Sequence, residues 1–394
     1  MTNLKQALEN TYNHRLDLVK ASKIRSFDNE ISAIPDLAKL TIGEPDLKTP
    51  EHIKQAAIRA MEEDQTHYTA QAGTAKIQEA IVGYLQRNHN LHYQADTEIV
   101  VTVGATEAIY AVFKTLVNPG DQFILPTPSF ALYEPIITLL GGEVIDIDTS
   151  ATNFRLSPTV LEDTLATHFK VKAVLLSYPN NPSGVTLTED EVHALATVIK
   201  QHNVYAITDE IYSDLVYDFE PYSIARDSQD QTIYISGVSK AYAMTGWRIG
   251  FVAAPEAFLK RLRKVHAFMV TCPSAIDQAA AAEAFLNGDS DIETMRASYQ
   301  ERRDVLASGL TRLGLEYLKP AGAFYLFMKV PAEFEGDDRH FAITLAQEAK
   351  VGVIPGSAFG KGGNGYVRLS YASSMTVIKR ALERIEQFKN EREN

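Results

Sequence analysis

The chain has 394 residues, 45% of them apolar, with one cysteine and a formal net charge of −12. That length allows two domains, or one large α/β unit with a satellite, while the acidic balance argues against a nucleic-acid surface, which needs clustered Lys and Arg. No apolar run approaches a membrane span, and Cys272, being alone, excludes an internal disulfide and proposes no metal site.

The opening M-T-N-L-K-Q-A-L-E-N has no signal-peptide core, so a cytosolic setting is expected. From about residue 97 to 255, short β-rich runs alternate with helical patterns. The strand candidates are T-E-I-V-V-T-V-G, D-Q-F-I-L-P-T-P, V-K-A-V-L-L-S-Y-P, V-Y-A-I-T-D-E, Q-T-I-Y-I-S-G-V-S and R-I-G-F-V-A-A-P. Several are apolar almost throughout, the pattern of strands buried on both faces of a mainly parallel sheet. Helical stretches such as A-T-E-A-I-Y-A-V-F-K-T-L-V and T-E-D-E-V-H-A-L-A-T-V-I-K separate them, and the alternation predicts an α/β sheet flanked by helices. After about residue 284 the pattern changes to a long polar helix, then E-Y-L-K-P-A-G-A-F-Y-L-F-M-K-V and the strand candidate G-Y-V-R-L-S-Y. A last helix aligns Met375, Ile378, Leu382, Ile385 and Phe388 on one face. This part reads as a smaller α+β domain.

In open α/β sheets, ligands bind beyond the carboxyl ends of the strands. There V-T-V-G ends in Gly104-Ala105-Thr106, opening a helix, and V-L-L-S-Y-P ends in Asn180-Asn181-Pro182-Ser183-Gly184. V-Y-A-I-T ends in Asp209-Glu210-Ile211-Tyr212, and I-Y-I-S-G-V-S ends in Lys240. One edge therefore gathers an anion cradle, an amide, a carboxylate, a phenol and an amine. Pyridoxal 5′-phosphate is a cofactor that uses all of these. The helix N-terminus suits its phosphate, Arg248 can add a two-pronged contact, and Asp209 can keep the ring nitrogen protonated. Lys240 then becomes the Schiff-base lysine, its pKa lowered by an electropositive, partly buried site.

Blander readings stand beside these. Phe130 is a residue type that fills cores by default, and Gly43, Gly104 and Gly184 read as turn glycines before ligand-facing ones. The run P-G-S-A-F-G-K-G-G-N-G lacks a G-K-[ST] end and precedes a strand, so it reads as a solvated turn rather than a phosphate loop. Cys272 reads as packing, and the histidines show no metal-ligand spacing.

The block G-V-S-K-A-Y-A-M-T-G-W-R-I-G resembles the lysine signature of class I/II aminotransferases, the fold-type I enzymes that depend on pyridoxal phosphate. T-I-G-E-P-D, Tyr68 with the following Gly73, G-A-T-E-A, P-S-F-A-L-Y-E-P, Y-P-N-N-P-S-G, D-E-I-Y and Y-V-R-L-S-Y extend the match, in order, along nearly the whole chain. The resemblance implies that Lys240 bonds the cofactor and moves a proton at the substrate's α-carbon. Asp209 pairs with the ring nitrogen, Tyr212 and Asn181 bond the ring hydroxyl, and Phe130 lies on the ring face. Gly104, Ala105, Thr106, Ser239 and Arg248 hold the phosphate, joined by Tyr68 from the second subunit of a homodimer. Arg368 forks the substrate's α-carboxylate, assisted by Gly43 and Asn181, and no metal is implied. The chain departs from many relatives at Gly237, where serine is common, and at Gln78, where arginine is familiar. The domain division expected with this fold is 47–283 for the large domain, and 1–46 with 284–394 for a discontinuous small one.

Within that family, R-K-V-H-A-F-M-V-T-C-P-S and Y-V-R-L-S-Y-A-S-S-M resemble the bacterial aromatic and N-acetyl-diaminopimelate aminotransferases. The function expected is transamination of aromatic amino acids with 2-oxoglutarate, with N-acetyl-L,L-diaminopimelate as the alternative donor. Two rivals are a C–S β-lyase on the same scaffold, and an aminotransferase-like effector domain of a transcription regulator. The acidic balance and the early T-I-G-E-P-D oppose the second rival.

Overall fold

A computed structural model describes residues 4, 5, 8 and 11–393. The opening decapeptide read above lies mostly outside the described residues. The strands are β1 (Ala38–Lys39), β2 (Ile99–Thr102), β3 (Gln122–Thr127), β4 (Glu143–Asp148), β5 (Val171–Leu176), β6 (Tyr205–Asp209), β7 (Thr232–Gly237) and β8 (Gly250–Ala253). They continue with β9 (Tyr317–Leu318), β10 (Tyr325–Lys329), β11 (Val351–Gly352), β12 (Ile354–Pro355) and β13 (Tyr366–Ser370).

β2 to β8 form one sheet in the order β2-β8-β7-β6-β5-β3-β4. Only β8 runs antiparallel to its neighbours; the remaining pairs are parallel. This is the mainly parallel sheet expected. β2, β7 and β8 are buried at every residue, which requires helices on both faces and explains their unbroken apolar runs. β4, E-V-I-D-I-D, is the strand the sequence reading missed. It lies at one edge of the sheet, opposite β2, and of its residues only Ile147 is buried. Charged residues suit an edge and erase the apolar signature of a strand.

The second sheet, β12-β13-β10-β9, is antiparallel. β1 pairs in parallel with β11, tying the N-terminal segment to the C-terminal part. Phe27, Ile31, Ala38 and Leu40 accordingly share one apolar core with Leu306, Leu310, Phe324 and Leu326. The expected helical stripe closes that core: Ile378, Leu382, Ile385 and Phe388 of the helix Met375–Glu393 are buried, with Met375 half-buried. It lies so close to the helix Asp289–Arg312 that a Cβ on Gly309 would stand 2.6 Å from both Leu382 δ-carbons.

The reading of the Gly-rich run as a solvated turn is corrected. Gly356, Ala358, Phe359, Gly362 and Gly363 are buried. A Cβ on Gly362 would lie 2.3 Å from the Thr127 carbonyl oxygen, so the missing side chains let this backbone press against the end of β3. Among the described residues, no helix is long and apolar enough to cross a membrane, and no cluster of His, Cys, Asp and Glu is placed to hold a metal ion.

The Gly309–Leu382 contact is testable. Leu382→Ala should cost about 2–5 kcal/mol as a buried leucine truncation. Adding Gly309→Ala should recover part of that loss, because the new methyl enters the vacated space and favours the helix. Urea unfolding midpoints of the single and double variants check this; a double variant weaker than Leu382→Ala alone would contradict it.

Candidate active site

The helix Gly104–Leu116 begins where β2 ends, and two glycines shape its N-terminus. Gly104 has φ +74°, and a Cβ on it would lie 2.5 Å from Arg248 Nη2. A Cβ on Gly250 would lie 2.5 Å from the Ala105 nitrogen. Their absence lets the Arg248 guanidinium lie against the free N–H groups of the first turn, which makes an anion site. Arg248 Nη1 donates to the Thr245 carbonyl at 2.8 Å. Behind this turn, Glu107 accepts from the Val103 N–H and faces His266 Nδ1 at 2.7 Å. His266 Nε2 donates to the Gln71 carbonyl at 2.7 Å, so this buried pair ties the helix start to the loop after Tyr68.

Asp209 ends β6. Its carboxylate accepts from the Tyr133 hydroxyl at 2.7 Å and from the Ile211 N–H at 3.3 Å. Ser177 Oγ lies 3.1 Å from the same tyrosine oxygen. Burial pushes the Asp209 carboxyl above its ordinary value, opposed by those two donors and, at longer range, by Lys240. A buried carboxylate without a paired cation is costly, and a protonated ring nitrogen would supply that cation.

Lys240 Nζ donates to the Gly43 carbonyl at 2.7 Å and stands 5.6 Å from the Phe324 ring centre and 5.8 Å from that of Tyr212. Removal from water lowers its pKa to about 8; Arg368 and Arg248 push the same way, and Glu44 and Asp209 oppose them. Gly43 cannot carry a side chain, since a Cβ there would be 2.1 Å from the Tyr325 hydroxyl. That hydroxyl in turn lies 2.7 Å from the Tyr212 hydroxyl. The phenol expected beside a cofactor ring is thus fixed by a second phenol from the small sheet.

Arg368, on β13, is 3% exposed and sits between the Tyr325 ring at 4.5 Å and the Phe359 ring at 4.9 Å. Phe359 comes from the corrected Gly-rich loop. Nη1 donates to Asn181 Oδ1 at 2.9 Å and Nη2 to the Thr41 carbonyl at 2.6 Å, while buried Nε has no partner. Burial lowers the Arg368 pKa. None of the ion pairs among the described residues includes it. A buried guanidinium in this state is a seat for an anion.

One cavity of about 530 Å³ joins these groups. Lys240, Asp209, Tyr212, Ala105, Thr106, Phe130, Asn181, Ser239, Arg248, Gly43 and Arg368 all line it. Gly104 shapes the helix start from behind. Tyr68 is 88% exposed and does not reach its own chain's cavity. Tyr133, Ser177, Tyr325 and Glu44 also line the cavity, and none was assigned a role from sequence. Tyr133 and Tyr325 stood inside P-S-F-A-L-Y-E-P and A-G-A-F-Y-L-F, where an aromatic among apolar residues reads as core.

The residues fit pyridoxal phosphate on three counts. There is a glycine-shaped anion cradle with Arg248, a buried carboxylate lacking a cation, and an amine that loses its proton near neutral pH.

The family model "Aminotransferase class I and II" matches residues 35–385. The chain is 42% identical to a probable N-acetyl-LL-diaminopimelate aminotransferase of Bacillus subtilis, covering 97% of this chain and 96% of that one. It is 37% identical to an aspartate aminotransferase of Pyrococcus abyssi, over 96% and 98% of the two chains. The crystal structure of an aromatic aminotransferase from Pyrococcus horikoshii superposes with a TM-score of 0.89 at 35% identity, over 96% and 98%.

The electrostatics of the amine give a signed prediction. In cofactor-free protein, acylation or arylation of Lys240 should be slow at pH 6 and rise through about pH 8 as the ammonium loses its proton. Arg368→Ala removes a repelling charge, so the midpoint should move up; Glu44→Gln removes an attracting one, so it should move down. Rates of labelling by trinitrobenzenesulfonate, read on the Lys240 peptide, measure this. Shifts of the opposite sign would refute it.

Proposed function

The chain belongs to the class I and II aminotransferases, and from that premise we propose that it moves an amino group from an α-amino acid, aromatic side chains favoured, to a 2-oxo acid such as 2-oxoglutarate, using pyridoxal 5′-phosphate. The observation that carries the reading is the pairing in one cavity of a near-neutral amine, Lys240, with an unpaired buried guanidinium, Arg368. When bound, the cofactor supplies an aldehyde for that amine and an electron-withdrawing ring.

The chain's own residues then take these parts. Lys240, steered by the Gly43 carbonyl, attaches the cofactor and moves the proton at the substrate's α-carbon. Asp209 holds its charge towards the ring nitrogen because the Tyr133 hydroxyl and Ile211 N–H fix it. Tyr212 and Asn181 face the ring hydroxyl and Phe130 the ring. Ala105, Thr106, Ser239 and Arg248, with Gly104 giving them room, hold the phosphate. Arg368 grips the α-carboxylate with the donors that Asn181 and Thr41 leave free. Donor and acceptor use one site in turn, so ping-pong kinetics are expected.

The proposal includes a homodimer in which Tyr68 reaches the neighbour's phosphate. Tyr68 supports it, being 88% exposed and outside the cavity of its own chain. The proposal also keeps the two-domain division at 47–283 and 1–46 with 284–394; the core shared by Phe27, Leu40, Leu310 and Ile378 supports the second unit. A cytosolic setting belongs to it as well, supported by a cysteine content that offers no disulfide. A second reading, with N-acetyl-L,L-diaminopimelate as donor, is favoured by the Bacillus subtilis relative.

A panel of amino donors with 2-oxoglutarate, compared as kcat/KM, tests the reading. Aromatic donors should lead; an N-acetyl-diaminopimelate lead selects the second reading. Pyruvate and ammonia released from cystathionine without an acceptor would instead indicate a lyase. Arg368→Lys keeps the charge but loses the fork, so amino acids should lose about 2–4 kcal/mol in kcat/KM. Amines without an α-carboxylate should be indifferent, and an equal loss for both would remove Arg368 from this role. For the dimer, mixing Lys240→Ala chains with chains crippled at Tyr68 should restore some activity, whereas Lys240→Ala with Arg248→Ala should not. A fully active monomer in sedimentation would contradict the shared site.

A further inference from the structure

Glu107 and His266 are buried, titratable and without a part in the chemistry proposed above. Glu107 lies in the first turn of the helix Gly104–Leu116, whose free N–H groups form the anion cradle. A bare carboxylate there would repel an anion bound at the same turn. Its oxygens are instead turned back: one accepts from the Val103 N–H and the other faces His266 Nδ1 at 2.7 Å. On its far side the ring meets the Gln71 carbonyl at 2.7 Å, to which Nε2 can only donate. Both ring nitrogens therefore need a hydrogen, one of them the proton shared with Glu107. Wherever that proton rests, the pair is neutral as a unit and the cradle keeps its positive field.

The other end of the pair reaches the loop that follows Tyr68, and further buried groups clamp the same loop. Gln278, fully buried, donates to Thr69 Oγ1 at 3.0 Å and accepts from the Thr74 N–H at 2.8 Å. Gln78, which stands where arginine is familiar, donates to the Ala72 carbonyl at 3.3 Å. The Val101 N–H of β2 donates to that same oxygen at 3.0 Å. Gly73, at φ +104°, presses so close that a Cβ would lie 2.5 Å from Val101 Cγ2. His266 adds the anchor at Gln71, between Thr69 and Ala72. Directly before this clamped loop, Tyr68 stands exposed. A side chain that projects from a fixed mount meets its target at a lower ordering cost.

We propose that the Glu107–His266 pair is a positioning unit that serves two active sites at once. Through Glu107 it sets the phosphate cradle of its own chain; through Gln71 it sets the mount from which Tyr68 reaches the partner's phosphate. This rests on the shared-site dimer proposed above and names the residues that join one site to the other. Neither residue lines the cavity, so both act through the groups they hold.

The test uses hybrid holodimers in which one chain carries Lys240→Ala, so borohydride can fix the cofactor only to the other chain's Lys240. Diluting the hybrids before reduction reads how well that single site retains the cofactor. His266 is substituted either on the chain with the lysine or on the chain that lends it Tyr68. Asn can place a donor where Nδ1 stood, and Gln where Nε2 stood. His266→Asn therefore spares Glu107 and releases Gln71. Retention should fall about fivefold, the scale of one hydrogen bond, and only when the lending chain is changed. His266→Gln does the reverse and should weaken retention only from the lysine chain. With Tyr68→Phe already on the lending chain, His266→Asn should add no further loss, whereas a general packing defect would add one. If His266→Asn does not assemble, His266→Ser, which drops both contacts, should weaken retention from either chain. Losses confined to the lysine chain in every variant, losses that fail to separate Asn from Gln, or no loss at all would overturn the proposal. A chain that forms no dimer, or Tyr68→Phe without effect on the neighbour's retention, would instead remove the shared-site reading and the proposal with it.

Discussion

Lys240 leaves the end of β7 and carries its amine into a cavity where no described carboxylate comes within ion-pair distance and two guanidinium groups oppose its charge. An ammonium held this way is unstable with respect to losing its proton, because a buried charge must be paired or neutralised. The rest of the site reads as the set of arrangements that keep this condition. Gly43 has no side chain, so its carbonyl can hold the amine while the Tyr325 hydroxyl occupies the space a Cβ would need. Gly104 and Gly250 bring Arg248 and the helix N-terminus close. The same positive field that disfavours the ammonium favours the anions such an enzyme must bind.

Arg368 carries the complementary constraint. Stacked between two rings and engaged by Asn181 and Thr41, it is fixed in orientation before any ligand arrives. Pre-set geometry lowers the ordering cost of binding a carboxylate. Its neighbours come from distant parts of the chain: Thr41 from the N-terminal segment, Asn181 from the loop after β5, and Phe359 from the Gly-rich loop. The site therefore exists only where the two sheets meet, and Thr41 carries its influence on to the helix Lys23–Ile31.

Much of this was legible in the sequence because parallel strands deliver their ligand-facing groups at their carboxyl ends. Asn181, Asp209 and Lys240 each follow an apolar run that forms a central strand, and Gly104 to Thr106 follow β2, an edge strand that reads the same way because it is buried at every residue. Arg368 was not legible in that way. It sits within an antiparallel strand of the small sheet, and only the resemblance assigned it a ligand. Tyr133 and Tyr325 escaped because a tyrosine among apolar residues has the same pattern whether its hydroxyl meets a packed core or a cavity. β4 escaped because, unlike the buried edge strand β2, it is exposed along most of its length and written in charged residues. The loop at 355–365 was misread because glycine signals exposure in a turn but also allows close backbone packing, and only the fold distinguishes the two.

The central claim is that one lysine, Lys240, is the amine that the cavity prepares for an aldehyde. Incubating the protein with pyridoxal 5′-phosphate, reducing with borohydride and mapping the peptides tests it most directly. The account predicts one equivalent of cofactor per chain, fixed to the peptide that contains Lys240, and none fixed there in Lys240→Ala. Cofactor fixed mainly to another lysine, or spread over several with Lys240 unmodified, would contradict it.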